Sequence, residues 1–267
     1  MASNNQQGAK ITVYWLEKSR GQRAVWLLEE LNLEYDIKVF RRNKEFRAGD
    51  DLKAVHPLGR SPVIGITPAG SEKEIIVAES ETIVDYVTEH FGRQMVPQRY
   101  PEGKEGVVGA ENEDFMRYRV SVFLMDYAEG SFSTLLMIAM IMMNIKNAPV
   151  SFFLKPITRG IAGKVETTFL NPELKKHCDF LEDILSKSSG EFFCGSNISG
   201  ADIMMHFALE GATQLVPLSE TNYPKLYDYM RRMQKRDAYQ RAAKRVSEAS
   251  GDEYVPFSDL KKIAGGE

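Results

Sequence analysis

The spacing of apolar positions changes character along this chain, and the change divides it. Ala24, Leu27, Leu28 and Leu31 recur at i, i+3, i+4 and i+7, which predicts an amphipathic helix over 20–31. Directly after it, Tyr35, Ile37 and Val39 alternate with Asp36 and Lys38, the period of a strand, predicted at 35–40. Short apolar runs at 11–16, 63–66 and 75–78 read as further strands, with Thr67-Pro68-Ala69-Gly70-Ser71 supplying turn chemistry between the last two. A short irregular helix near 50–55 and a longer one over 81–91 complete the order βαβ, then ββα. From 92 to 104 the chain turns to Pro, Gly and polar residues and the strand signals stop, as in a linker. Beyond it only helical periods appear, over 109–128, 132–145, 161–167, 174–185, 201–215, 223–234 and 237–247. The pattern therefore predicts an α/β domain at 10–91, a linker at 92–104, an all-α helical bundle at 105–250, and tails at 1–9 and 251–267. Ser199 as N-cap, Asp202 at N3, and Ile198 with Ile203 as a hydrophobic staple mark the start of the bundle's central helix; folding physics alone accounts for them.

Composition narrows the possibilities. With 267 residues, 43% of them hydrophobic and 27% charged, the chain can bury a full core and hold two small domains. A formal charge of -3 with interspersed signs argues against nucleic acid as the main partner, and basic runs such as Arg41-Arg42 and Arg231-Arg232 read as solvated helix surface. The two cysteines, Cys178 and Cys194, have no metal-like spacing and read as buried thiols of a reducing compartment. His56, His90, His177 and His206 are scattered, and no metal site is expected. The polar stretch Met1 to Lys10 has no apolar core of a secretory signal, so a cytoplasmic location is expected. The most apolar run, 135–143, is far shorter than the roughly 20 residues a membrane span needs, so no span is expected. Its methionines suit a pliable apolar wall, with helical core as the plainer reading.

Three polar stations interrupt the apolar pattern at element junctions. Ser19 stands where the first strand gives way to a helix, so its hydroxyl and the free N–H groups of the helix start point at one spot, which favours an anion. Pro62 follows a polar loop and precedes an apolar strand, a place where a cis X–Pro bond turns the backbone of Ser61 outward. Glu79 and Ser80 open the next helix, offering a carboxylate to an ammonium group and a helix N-terminus to a carboxylate. Together they read as a binding site for a small peptide thiol.

These residues resemble a family. Ser19 with Arg23 four positions on, the string His56-Pro57-Leu58-Gly59-Arg60-Ser61-Pro62, and Ala78-Glu79-Ser80 look like the glutathione-binding domain of cytosolic glutathione transferases, in a fungal-type, serine-dependent branch. The resemblance continues through Trp26 to Leu31, Glu129-Gly130-Ser131 and Ser199-Gly200-Ala201-Asp202, and spans roughly 10 to 250. It implies a thioredoxin-like first domain, a homodimer, glutathione as cosubstrate and a role in detoxification. It also implies that Ser19 donates a hydrogen bond to the glutathione thiolate, that Ser61 beside cis-Pro62 holds the cysteinyl backbone, and that Glu79 and Ser80 hold the γ-glutamyl end. Arg60 is implied for the glycyl carboxylate. Phe46 stands where related proteins place a polar ring or amide before Arg47-Ala48, which leaves that end of the site open. Tyr14 is a rival donor, since some classes use a tyrosine of the first strand; otherwise it is a strand-end aromatic.

The chemistry asked of the serine is modest. A thiol with an ordinary pKa of about 8.5 needs about 1.4 kcal/mol of preference for the thiolate per pKa unit of lowering. A helix N-terminus and a charge-assisted hydrogen bond, at about 0.3–2 and about 1.5–3 kcal/mol, suffice for roughly one to three units. The thiolate then attacks an apolar electrophile held between the two domains, for which Tyr14, Phe115, Tyr118, Phe123, Met125 and Tyr127 are candidate contacts. The same thiolate serves a glutathione-dependent peroxidase, and a non-catalytic glutathione- or ligand-binding regulatory module is the alternative from another class.

Overall fold

The computed structural model describes residues 6–120, 124–216, 218–257 and 259. The chain forms two compact units, the first comprising Met1–Pro97 and Arg232–Val255, the second Gln98–Arg231 and Pro256–Glu267.

In the first unit the elements are β1 (Lys10–Leu16), α1 (Gly21–Glu30), β2 (Asp36–Phe40), α2 (Asp50–Val55), β3 (Val63–Thr67), β4 (Ile75–Ala78) and α3 (Ser80–Phe91). The sheet order is β2-β1-β3-β4. β1 pairs parallel with β2, Val13 opposite Ile37, and antiparallel with β3, Tyr14 opposite Val63; β3 pairs antiparallel with β4. A parallel pair joined by a helix followed by an antiparallel hairpin is the thioredoxin-like order that the alternating periods predict. β1 is buried on both faces. Tyr14 and Leu16 pack with Leu52 and Val63, against Phe40, Ala48, Val55 and Ala78, while Ile11 and Val13 are equally enclosed.

Two features of this unit differ from expectation. A 3-10 turn, Arg93–Met95, follows α3 inside the predicted linker, and Met95 is buried. The last helix, α11 (Asp237–Ser250), expected in the helical bundle, belongs to the first unit and lies along α1. Sequence order placed it with its neighbours; side-chain chemistry sends it back. Trp26 meets Tyr239 edge to face at 5.4 Å, and Arg241 donates to Glu29 at 2.8 Å. Just before the helix, Arg236 donates two hydrogen bonds to Glu30, at 2.7 and 2.8 Å.

The second unit is helical: α4 (Glu113–Phe115), α5 (Leu124–Tyr127), α6 (Thr134–Lys146), α7 (Lys155–Val165), α8 (Asn171–Ser186), α9 (Gly200–Leu215) and α10 (Pro224–Gln234), α10 crossing into the first unit at Arg232. Wider π turns at Ala128–Ser133 and Glu166–Leu170 join what the sequence predicts as separate helices, and a third, Met116–Val120, falls inside the helix predicted over 109–128. The predicted break around Glu129-Gly130-Ser131 is thus a π turn running into α6, Gly130 remaining helical. Likewise α7 begins at Lys155, with Pro156 in its first turn where no N–H is needed, and reaches α8 through a π turn that precedes Pro172. Proline removes one rung of the helical ladder, and a π turn is a recognised way to absorb that.

Helical turns are described over 113–120 and 124–146, and the most apolar window of this stretch has mean hydropathy 1.4. By length and composition this run is long enough to cross a bilayer. Residues 135–143 thus belong to a longer helical stretch than the apolar run alone indicates, and the core helix of a soluble protein passes the same test of length and composition.

α9 is the buried centre of the unit. Asp202 accepts from Ser199 N at 2.9 Å and Ser199 Oγ at 2.8 Å on one oxygen, and from Phe193 N at 3.1 Å and Tyr229 Oη at 3.0 Å on the other. This is the capping box the sequence predicts, extended to two further donors. Complete burial pushes the Asp202 carboxyl above its ordinary value, and the hydrogen bonds from Ser199, Phe193 and Tyr229 oppose that. Further along, His206 and Glu210 meet at 3.1 Å, both buried, and Phe257 stacks on Phe207 at 4.8 Å with its N–H on Glu210 at 3.3 Å. Gly211 makes room for that ring, since a Cβ there would lie 2.6 Å from it.

Candidate functional site

The first unit gathers the polar stations at the ends of β1 and β3 and the start of α3. Ser19 lies in the turn between β1 and α1. Its hydroxyl is 2.7 Å from the Leu16 carbonyl and 3.1 Å from Ser61 Oγ, and it accepts from Gly21 N at 3.0 Å. A hydroxyl has one proton to donate. Ser19 therefore divides a single donor between a carbonyl and the neighbouring serine, and can turn it toward an incoming anion by releasing Leu16. The Ser61–Pro62 bond is cis.

Gly21 is what lets the two serines meet. A Cβ at this position would lie 2.9 Å from Ser61 Oγ, 3.1 Å from Ser19 Oγ and 3.1 Å from Trp15 Cδ1. The first residue of α1 must be bare for the hydroxyl pair to sit over the helix start.

Glu79 is exposed and has φ +73°, a left-handed conformation that costs a non-glycine residue. Its carbonyl accepts the first α3 bond from Ile83 N at 2.9 Å, while its side chain stands outside the helix. Ser80 is buried, and its Oγ accepts from Arg23 Nη1 at 3.2 Å. Arg23, only 2% exposed, thus ties α1 to the start of α3. The signal for it was present, as an arginine one helical turn after Ser19.

Arg42 carries a second link that sequence reasoning missed. Read as solvated helix surface, it is half-buried in an extended segment and braces the β1–α1 turn. It donates to the carbonyls of Glu17, Lys18 and Phe46 at 3.0, 3.0 and 2.9 Å, and its backbone N–H donates to Glu17 at 2.7 Å. Burial pulls its pKa below the ordinary arginine value. Its neighbour Arg41 is paired with Glu17 and Asp252. Phe46, exposed and at φ +61°, lies under the Arg42 guanidinium at 4.8 Å and near Lys18 Nζ at 5.6 Å. Two cations thus border the position where the family pattern has a polar side chain. Arg60 is exposed on the loop before Ser61.

Tyr14 is otherwise engaged. Its hydroxyl donates to Glu74 at 2.7 Å, and burial, reinforced by that carboxylate, pushes its pKa up to about 12. Among the apolar candidates of the second unit, Phe115, Tyr118, Met125 and Tyr127 are all buried. Tyr127 lies against Phe132 and Phe180 and shares a hydrogen bond with His177 Nδ1. Phe123 lies outside the described residues. Burial pushes the thiol of Cys178 up to about 12 and that of Cys194 well above the ordinary range. Among the described residues no group of three or more His, Cys, Asp or Glu side chains is arranged to hold a metal.

The chain thus combines a thioredoxin-like unit, with a serine pair over the start of α1, and a helical unit. Residues 19–90 match the family described as "Glutathione S-transferase, N-terminal domain", and residues 152–240 match "Glutathione S-transferase, C-terminal domain". The chain is 33% identical over 244 residues to "Glutathione S-transferase 1" of Saccharomyces cerevisiae, covering 91% of this chain and 98% of that protein. It therefore belongs to the glutathione S-transferase family. Among solved structures, a glutathione S-transferase of Actinobacillus pleuropneumoniae shares the fold at TM-score 0.63 and 21% identity, covering 94% of this chain and 96% of that one. A glutathione transferase homologue of Lodderomyces elongisporus, solved with two glutathione molecules per subunit, does so at TM-score 0.61 and 18% identity, covering 87% and 97%.

Proposed function

We propose that the chain is a serine-dependent glutathione transferase, which binds glutathione in its first unit and conjugates it to an apolar electrophile. The single observation that carries this reading is the Ser19–Ser61 hydroxyl pair, 3.1 Å apart over the N-terminus of α1. In this mechanism the cysteinyl sulfur of glutathione lies beside Ser19. The serine hydroxyl leaves the Leu16 carbonyl and donates to the thiolate, while α1 adds the field of its free N–H groups. The proton lost by the thiol goes to solvent. The thiolate attacks the electrophilic carbon and the leaving group departs with the electron pair. Ser19 is a donor throughout, never a nucleophile. The peptide backbone of glutathione lies along Ser61, its γ-glutamyl ammonium on Glu79 and carboxylate at Ser80 and the α3 N-terminus, and its glycyl carboxylate near Arg60. The enzyme acts as a cytoplasmic homodimer.

Ser19→Ala tests the reading. Spectrophotometric titration of bound glutathione should show the thiol pKa rising by about one to two units, the scale of one charge-assisted hydrogen bond. Turnover of an aryl halide should fall by about 10–100-fold at neutral pH. Tyr14→Phe should change neither. A pKa rise in Tyr14→Phe alone would transfer the donor role to the tyrosine. In the same assays Glu79→Ala should raise the glutathione Kd by roughly 10- to 100-fold, the loss expected for a charge-assisted contact; unchanged affinity would remove that residue from the site.

A further inference from the structure

The α6–α7 region carries an exposed face that the transferase reading does not use. Phe152 and Phe153, 79% and 82% exposed, stand in the turn before α7. Ile157 and Ile161 continue the face one turn apart on α7, and Met137 and Ile141 add to it from α6, which packs against α7. Soluble proteins rarely leave a contiguous apolar patch of this kind uncovered. The apolar helical run that feeds it has only 28% of its most hydrophobic window buried, the reverse of a core helix.

Charge says what covers it. From Gly130 to Val165 there is no aspartate or glutamate, in a chain whose net charge is -3. The same stretch holds Lys146, Lys155, Arg159 and Lys164. Lys146 is paired with Glu166, leaving Lys155, Arg159 and Lys164 exposed; Lys164 shares the Ile157–Ile161 face of α7, Lys155 follows the Phe152–Phe153 turn directly, and Arg159 lies on the opposite flank of the helix. A two-fold contact of the patch with a second copy would bring together two surfaces that both carry only cations. An anionic bilayer surface has neither problem: it accepts aromatic and aliphatic side chains at the headgroup boundary and draws in the cations around them, without requiring a directional partner.

We propose that this face is a membrane-surface docking site, by which the protein lies on anionic lipid with Phe152, Phe153, Ile157 and Ile161 in the headgroup region. The association is peripheral, does not require the helix to cross the bilayer, and places the enzyme where apolar electrophiles concentrate.

Vesicle flotation of the full chain tests it, with phosphatidylcholine alone compared with phosphatidylcholine holding about 30 mol% phosphatidylserine. The protein should float with the anionic vesicles, weakly or not at all with the neutral ones, and detach as salt is raised. Lys155→Gln with Lys164→Gln should lower the partition coefficient by about 30-fold, the factor expected of two interfacial cations. Phe152→Ser with Phe153→Ser should lower it by on the order of 100-fold. Both variants should keep wild-type retention on immobilised glutathione, so loss of flotation is separated from misfolding and from failure of the transferase reading. Absence of flotation with anionic vesicles would overturn the proposal, as would equal flotation with neutral ones. So would sedimentation velocity in which the phenylalanine variant alone turns a dimer into a monomer, since the face would then belong to a second copy.

Discussion

At Ser19 the chemistry turns on where one hydroxyl proton goes. The Leu16 carbonyl and Ser61 Oγ compete for it, so the free protein holds the donor in a satisfied state that costs little to leave. Gly21 controls the geometry. We expect Gly21→Ala to keep the backbone N–H that Ser19 accepts, and to gain a little helix stability. Its Cβ would nevertheless press on both hydroxyls. The outcome should be kcat/KM for aryl halide conjugation about tenfold lower with little change in Tm, because displacement of a positioned donor by tenths of an ångström affects catalysis before it affects folding. Wild-type kinetics in this variant would mean that the serine pair is not part of the chemistry.

Among the elements, α9 shows how a short local signal comes to anchor a whole unit. Ser199 and Asp202 are legible in sequence as a capping box, an arrangement whose N-cap substitution usually costs about 0.5–2 kcal/mol. The tertiary structure gives Asp202 two further donors, Phe193 N and Tyr229 Oη, from segments the motif does not contain. Removing the carboxylate would take the acceptor from the backbone N–H groups of Phe193 and Ser199 and weaken the bonding of the Ser199 and Tyr229 hydroxyls, in a fully buried place. Urea unfolding should therefore find Asp202→Ala destabilised by about 3–5 kcal/mol and Ser199→Ala by about 1 kcal/mol. Equal losses would reduce Asp202 to an ordinary cap.

For the whole molecule, acid stability carries a recognisable contribution from His177. It is half-buried against the rings of Tyr127 and Phe132, with Glu173 and Lys176 on its own helix. Burial holds its pKa below the ordinary 6.5, outweighing the opposing pull of Glu173, while Lys176 adds slightly to the depression. The unfolded chain thus binds this proton more readily than the folded one. Stability from the neutral ring is complete above the unfolded value and is lost as pH falls from about 6.5 through the depressed folded pKa. His177→Gln should flatten the decline in denaturation midpoint between pH 7.5 and 5 relative to wild type; an unchanged decline would assign acid sensitivity to other groups.

The sequence by itself determined what depends on local spacing. The two periods in the first ninety residues specify βαβ and ββα, because side chains on a strand or helix must alternate or recur to bury one face. Ser19, the Ser61-Pro62 step and Glu79-Ser80 were visible as polar breaks at element junctions, and the capping box as a motif. What spans long stretches of chain was not visible. No local rule brings α11 back to α1, since the Trp26–Tyr239 contact and the Arg236–Glu30 pair exist only once the chain has folded. Nor does periodicity distinguish Arg42, braced across the β1–α1 turn, from a solvated cation, or a helix break from a π turn that carries the helix through. The serine pair itself is a tertiary product. Ser19 and Ser61 stand 42 residues apart, and only the antiparallel pairing of β1 with β3 brings the two strand ends to one edge, where Gly21 leaves room for them to touch.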